Sequence, residues 1–404
     1  MAIQSITRLF TTLLSLLILA AAAYFLWSWY AGDVTRDAAG DLQRIREPWR
    51  LWTGLGLLAW SLLGRFVMLL LLARPDERPS RPERRDGRVL ASPGGSRIYV
   101  ETHGPGGAAP IIFTHGWGMD STYWSYAREE LSDRFRLWLW DLPGLGKSKP
   151  ASADAIRLEA FAADLAGLVD ACGGQQPVLV GHSIGGMIIQ TLLRDRPELQ
   201  DRLAGVVLLN TTYTNPVETM VFSRPLKALQ RPVLEPASKL TIPLQPLAWL
   251  LKWQSYLSGS SHLAHRGGFG RYVTRSQLEH VTLLATRNPP AALARGDLAM
   301  FHWDATGVLG RVRRPVLVIG ADADIVTKLE ASQVLAQDSD RAELRVVEGA
   351  NHMGPLERAD LYNRMIADFA LHVQPSASTD LPSAGETAAR PSRPPGEADR
   401  PPLH

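Results

Sequence analysis

The stretch Gly181-His182-Ser183-Ile184-Gly185 sets one serine between glycines, where the aliphatic run Val178–Val180 gives way to a second apolar stretch from Met187 onward. Strand, G-x-S-x-G and helix in that order form a nucleophile elbow, whose glycines permit a turn sharp enough to lift the serine Oγ clear of a sheet. The helix that follows aims its first N–H groups at the same point, favouring negative charge there. A serine hydroxyl is a weak nucleophile and needs a base that is oriented by a third group. His352 is the base candidate, because VVEGANHMGPLER puts it directly beyond an aliphatic run. An acid belongs beyond the preceding run, where PVLVIGADADIVT offers both Asp322 and Asp324. His182 points away from the reaction by geometry and reads as structural.

These residues need a scaffold. Continuous aliphatic runs at 111–114, 135–141, 178–180, 206–209, 315–319 and 344–347 read as strands. Between two of them, Leu158, Phe161, Leu165, Leu168 and Val169 fall at helical spacing. Unalternating apolar strands with intervening helices mean a mostly parallel sheet covered on both faces, an α/β architecture. RVLASPGGSRIYVETHG (88–104) supplies an antiparallel hairpin for one edge. In such sheets functional groups collect at the carboxyl ends of the strands. The alternation breaks after Asn210, and residues about 211–306 read as a helical cap over that end. The cap carries Trp249 and Trp253 four apart, a second helical stretch from Ser276 to Thr286, and His262, His265, His280 and His302 in surface or core roles.

Taken in order, HGWG (115–118), DLPGLGKS (141–148), GHSIGG (181–186), PVLVIGADADIVT (315–327) and GANHMGPLER (349–358) resemble the α/β-hydrolase superfamily, esterase/lipase-like branch, from about Arg88 to Val373. The resemblance implies the α/β-hydrolase fold over residues 88–374. It also favours Asp324 as the acid, through the family pattern P-V-L-V-x-x-G-x-x-D; here Ala321 stands where that pattern has glycine, with Gly320 one position early. Asp322 then reads as a turn former. By the same likeness the backbone N–H groups of Trp117 and Ile184 would hold an oxyanion, each such donor contributing about 3 kcal/mol. His115 would brace their loop, and Asp141, Gly144 and Ser148 would shape the fold near the site.

The implied chemistry is hydrolysis of carboxylic esters by Ser183, His352 and Asp324 through an acyl-enzyme, with no cofactor and no metal. The same triad also serves acyl transfer, perhydrolysis and C–C bond hydrolysis, and the fold also occurs as a non-catalytic ligand-binding module. Epoxide hydrolases and haloalkane dehalogenases use Asp at the elbow, so Ser183 argues against both. The expected partner is a small-molecule ester or lipid substrate.

The amino terminus points to a membrane. Leu9 to Tyr30 is free of charge and ends in Trp27, Trp29 and Tyr30; Leu51 to Ala73 is a second run of spanning length, interrupted by Arg65. Snorkelling toward the basic end would relieve part of the cost of that arginine. Transmembrane helices over 1–31 and 51–73, joined by a loop at 32–50, make a hairpin. A cleaved signal sequence ending at Ala21-Ala22-Ala23 is the rival for the first segment. Six arginines between Arg74 and Arg88 outnumber the four of the loop (Arg36, Arg44, Arg46 and Arg50), which puts the catalytic domain on the cytoplasmic side.

Residues 74–87 read as a basic, Pro-rich linker on the membrane surface, and 375–404 as a disordered tail. Among the 404 residues the net charge is only +3, without a basic stripe interleaved with aromatics, which argues against nucleic acid as a partner. One cysteine, Cys172, excludes an intrachain disulfide and a cysteine-based metal cluster.

Overall fold

The computed structural model describes residues 2–374, with side chains from Phe10 onward. The tail at 375–404 lies outside the described residues.

Eight strands make one sheet: β1 (Gly87–Ala91), β2 (Arg97–His103), β3 (Pro110–Thr114), β4 (Arg136–Trp140), β5 (Val178–His182), β6 (Gly205–Leu209), β7 (Val316–Ala321) and β8 (Ala342–Val347). Their spatial order is β1-β2-β4-β3-β5-β6-β7-β8. The β1–β2 and β2–β4 pairs are antiparallel and the rest are parallel, so the hairpin forms a mixed edge. Strands β3, β5, β6 and β7 are buried along their whole length, as expected when helices cover both faces. Successive residues feed opposite cores: Val178 and Val180 join one cluster with Phe113 and Val207, while Leu179 joins the other with Ile112 and Val206. The helix Leu158–Ala171 buries Leu158, Phe161, Leu165, Leu168 and Val169, all the positions its periodicity marks. Cys172 ends that helix as a buried thiol, pushed by burial up to about 12.

The chain order reverses at β3, which lies between β4 and β5. Such a switch point opens a crevice at the carboxyl ends of the strands. Between β6 and β7 the chain leaves the sheet for a set of helices that includes Gln245–Leu257, Ser260–Arg266, Arg275–Arg287 and Pro290–Met300.

At the amino terminus, helix α1 (Ala2–Ala31) and helix α2 (Pro48–Leu72) run as a hairpin. Within them, 10–31 and 48–72 are long and apolar enough to cross a membrane by length and composition. The link between them is more ordered than a loop: Asp33–Arg36 and Leu42–Ile45 pair as an antiparallel ribbon. Helix α2 begins at Pro48, a residue suited to the first helical turn because it has no N–H to leave unpaired. Arg65 of α2 lies against two aromatic rings. Its guanidinium stacks at 4.6 Å from the Phe66 ring and 4.9 Å from Tyr256 of the cap.

Residues 74–87 form a docked strap, contrary to the linker expectation. Asp76 accepts from Ser276 N (2.9 Å), Arg78 pairs with Glu129 and Glu130, and the Ser80 hydroxyl meets His280 Nδ1 (3.0 Å). Arg84 then inserts between Asp120 (2.6 Å) and Asp141 (2.8 Å). Charge and proline content favour an extended backbone, and the extended backbone persists. What the composition conceals is the set of complementary carboxylates and hydroxyls waiting on the domain.

Candidate active site

Ser183 caps β5 and precedes the helix Ile184–Asp195, with φ +54° and ψ −119°. A non-glycine residue rarely adopts positive φ, and strain of this kind persists only where the surroundings enforce it. The glycines around it supply the room. A Cβ on Gly181 would run into the Gly185 backbone, one on Gly185 into the Thr114 carbonyl, and one on Gly186 into Thr211 (2.7 Å). The turn is therefore held by backbone packed on backbone at Gly181 and Gly185, and by backbone against the Thr211 side chain at Gly186.

The structure brings the three distant side chains together. Ser183 Oγ lies 3.0 Å from His352 Nε2, and His352 Nδ1 lies 3.0 Å from Asp324 Oδ2. Asp324 is buried and richly bonded. Its Oδ1 accepts from the N–H groups of Val326 (2.7 Å) and Thr327 (2.8 Å), and its Oδ2 from Asn210 Nδ2 (3.0 Å) and Thr327 Oγ1 (2.9 Å). Burial raises this carboxyl, but the His352 ring and these donors outweigh burial and hold it below its ordinary value. A carboxylate fixed at Nδ1 requires the proton there, which leaves Nε2 to accept from the Ser183 hydroxyl. Asp322 instead accepts from Gly349 N (2.7 Å), tying two loops together away from His352.

Several groups orient these three without a motif that announces them. Asn210, at φ +44°, follows β6; it donates to Asp324 and accepts from the Tyr362 hydroxyl (2.7 Å). Asn351 Oδ1 accepts from His352 N (2.7 Å) and Ile325 N (3.0 Å), joining the base loop to the acid loop. His182 is a brace: its Nε2 sits 2.9 Å from the His352 carbonyl, and its ring stacks on Tyr123. Burial and the neighbouring His352 lower its pKa to about 3, so it is neutral and Nε2–H donates.

The His115-Gly116-Trp117 loop follows β3. His115 accepts from Leu142 N at Nε2 (3.1 Å) and donates from Nδ1 to the Gly116 carbonyl (2.9 Å). A Cβ on Gly116 would lie 2.7 Å from His182 Nδ1 and 3.6 Å from Ser183 Cβ, so the loop passes directly over the serine. Ile184 is the first residue of its helix, where an N–H has no intrahelical acceptor. The Trp117 N–H joins no turn or loop bond among the described residues. Below the loop, Asp141 accepts from Ser121 N (2.7 Å) and Lys147 N (2.7 Å), and both Asp141 and Asp120 take Arg84 of the strap. Burial raises both carboxyls. For Asp120 the Arg84 charge prevails and the net direction is down, whereas Asp141, facing Asp120 as well, stays above its ordinary value.

A family model described as the alpha/beta hydrolase fold matches residues 109–359. The chain belongs to this family. Among curated proteins, this α/β-hydrolase is 28% identical over 257 residues to the pimeloyl-[acyl-carrier protein] methyl ester esterase of Nitrosomonas europaea, covering 63% of this chain and 92% of that one. It is 26% identical over 278 residues to RutD of Agrobacterium fabrum, whose name proposes it as a carbamate hydrolase; there the shares are 68% and 98%. An esterase of Exiguobacterium antarcticum superposes with a TM-score of 0.59 at 19% identity, over 70% of this chain and 99% of that chain, a likeness of fold. Helices α1 and α2 precede the residues matched by the family model.

Proposed function

We propose that this α/β-hydrolase is a membrane-anchored serine hydrolase that cleaves carboxylic esters of hydrophobic acids through an acyl-enzyme. The observation that carries the reading is the unbroken path from Ser183 Oγ through His352 to Asp324, each step 3.0 Å, on a strained elbow. Ser183 Oγ attacks the ester carbonyl while its proton passes to His352 Nε2. The N–H groups of Trp117 and Ile184 hold the oxyanion, and Asp324 stabilises the imidazolium. Collapse breaks the C–O bond, and His352 returns the proton to the departing alcohol. Water, activated by the same imidazole, then releases the acid and restores Ser183. Relatives named for methyl ester and carbamate cleavage support a carbonyl carbon as the point of attack.

The membrane part rests on helices α1 and α2. Their apolar spans of 22 and 25 residues reach about 33 Å or more, enough for a ~30 Å hydrocarbon core. Only 17% and 11% of their most apolar windows are buried against protein, which a core helix of a water-soluble domain would not tolerate. The Arg46 guanidinium over Trp29 (5.6 Å) and Tyr30 (5.7 Å) suits an interface belt at the ribbon end of the hairpin. The arginine excess after α2 supports a cytoplasmic side for the catalytic domain.

A fluorophosphonate probe tests the catalytic reading. Wild type is expected to label and Ser183→Ala is not, with p-nitrophenyl butyrate hydrolysis following the same pattern. Absence of labelling in wild type, or equal labelling of the variant, overturns it.

A further inference from the structure

The cap is not free of the hairpin. Ser258 Oγ lies 3.0 Å from Ser15 Oγ of α1, Gln254 Nε2 donates to the Ser61 carbonyl of α2 (3.4 Å), and Arg266 Nε donates to the Leu72 carbonyl (2.9 Å). Gly64 and Gly259 allow this approach. A Cβ on Gly64 would meet the Ser258 carbonyl at 2.5 Å, and one on Gly259 the Met68 side chain. Ser15 and Ser61 stand well inside the two spans of bilayer length, so the cap helix beside them sits at the same depth. The outer surface of the cap agrees: Leu247 and Leu250 of the helix Gln245–Leu257, and Leu240 and Leu244 just before it, are all exposed. Clustered exposed leucines on a water-facing cap would be an aggregation surface; next to a spanning hairpin they belong in lipid.

Between α1 and the cap lies a largely apolar cleft of about 320 Å³, with Lys252 and Asp297 also in its lining, at the lower end of the size range of small-molecule sites. Thr12 of α1 contributes one wall; Ala248 and Leu251 of the helix Gln245–Leu257 contribute another; Leu234, Leu293 and Phe301 form the inner side. That inner side is linked to the loops of the triad and the oxyanion through neighbouring side chains. The Leu293 carbonyl accepts from Trp117 Nε1 (3.2 Å), and Gly296 of the same helix lies against the Trp117 ring. Leu234 and Phe301 pack in one cluster with Val326, two residues after Asp324.

We infer that the cap is inserted in the membrane leaflet beside the hairpin, and that this cleft seats the acyl chain of a bilayer-resident ester whose carbonyl is presented to Ser183. The hairpin is then a wall of the substrate site as well as an anchor. The inference rests on the hydrolase reading above and narrows its substrate to long-chain acyl esters reached from the lipid phase.

The test uses full-length protein in phosphatidylcholine vesicles, with p-nitrophenyl palmitate and p-nitrophenyl butyrate as paired substrates. Ala248→Trp fills the cleft and is expected to lower kcat/KM for palmitate about tenfold or more, while butyrate hydrolysis and fluorophosphonate labelling stay within about twofold. Thr12→Trp, from the opposite wall, is expected to do the same and replaces the first variant should that one fail to fold. An equal fall for both esters in a variant that still labels fully, or unchanged palmitate hydrolysis, overturns the inference. Binding of a fluorescent C18 fatty acid, lost in Ala248→Trp and kept in wild type, reads the cleft without catalysis. Failure of the hydrolase reading shows differently, as a wild type that neither labels nor cleaves butyrate. Retained C18 binding by Ala248→Trp would also count against the cleft.

Discussion

At the scale of single residues, the two aspartates of GADAD separate by what they touch. Asp324 holds His352 Nδ1 and four donors, whereas Asp322 ties Gly349. Asp324→Asn removes the anion and offers the ring the wrong partner, so kcat is expected to fall about 10⁴-fold, while Asp322→Asn changes it little. Steady-state hydrolysis of p-nitrophenyl butyrate by the two variants checks this, and the reverse ranking moves the acid to Asp322. Ser183 and His352 were legible because each follows an aliphatic strand in a short, distinctive motif. Asn210, Asn351 and Thr327 were not. Asn210 and Asn351 are ordinary loop polar residues until strands β6, β7 and β8 bring them within 3.3 Å of the acid or its neighbours, and Thr327, three residues after Asp324, becomes a donor to it only through the turn of their shared loop. His182 reads as structural from the elbow alone, but its bond to the His352 carbonyl depends on a chain segment 170 residues away.

Among the elements, the six aliphatic runs match their strands to within two residues at either end. Burial makes them visible, and the misses have causes. Gly181 and His182 extend β5 through backbone pairing without being aliphatic, and β8 lies at the sheet edge, where Glu343 and Arg345 face solvent. The strap was the element least open to sequence reading, because the partners of Asp76, Arg78, Ser80 and Arg84 lie 36 to 200 residues away. Arg84 is its key residue. It neutralises Asp120 and Asp141, and those carboxylates hold the segment directly after the Trp117 loop. Arg84→Met leaves two buried carboxylates without a cation, a loss of about 3 kcal/mol that thermal unfolding reports directly. Misplacement of the loop is expected to cost about tenfold to a hundredfold in kcat, with Arg84→Lys recovering part of both. Unchanged unfolding and kinetics in Arg84→Met would reduce the strap to a passive connection.

At the scale of the whole molecule, buried histidines couple stability to pH, and the apolar hairpin makes the proposed topology open to experiment. His182 and His280 are buried and held neutral: burial, with His352 beside the first, lowers them to about 3 and about 4 from an ordinary 6.5. Below pH 6.5 an unfolded chain takes up protons that the folded one refuses, so stability declines as pH falls from 6.5 toward 4 and is fully present above 6.5. Thermal unfolding between pH 7.5 and 5 is expected to show a falling Tm, with a shallower fall in His280→Asn. His280 bridges Ser80 of the strap and Thr122 (3.0 Å each), so it also ties the strap to the domain. Membrane placement can be read by labelling, because Cys172, the single native thiol, is buried and gives little background. If α1 and α2 span with the arginine-rich strap inside, the ribbon at 33–45 faces outward. Thr35→Cys, at an exposed position in the ribbon, is then expected to react with a membrane-impermeant maleimide on intact cells. Asp154→Cys, exposed on the catalytic domain, is expected to react only after lysis, and both proteins should stay in the pellet through an alkaline carbonate wash. The opposite labelling pattern would invert the topology and leave the anchor intact; release by carbonate would remove the anchor, and with it the reason for leucines on the outside of the cap.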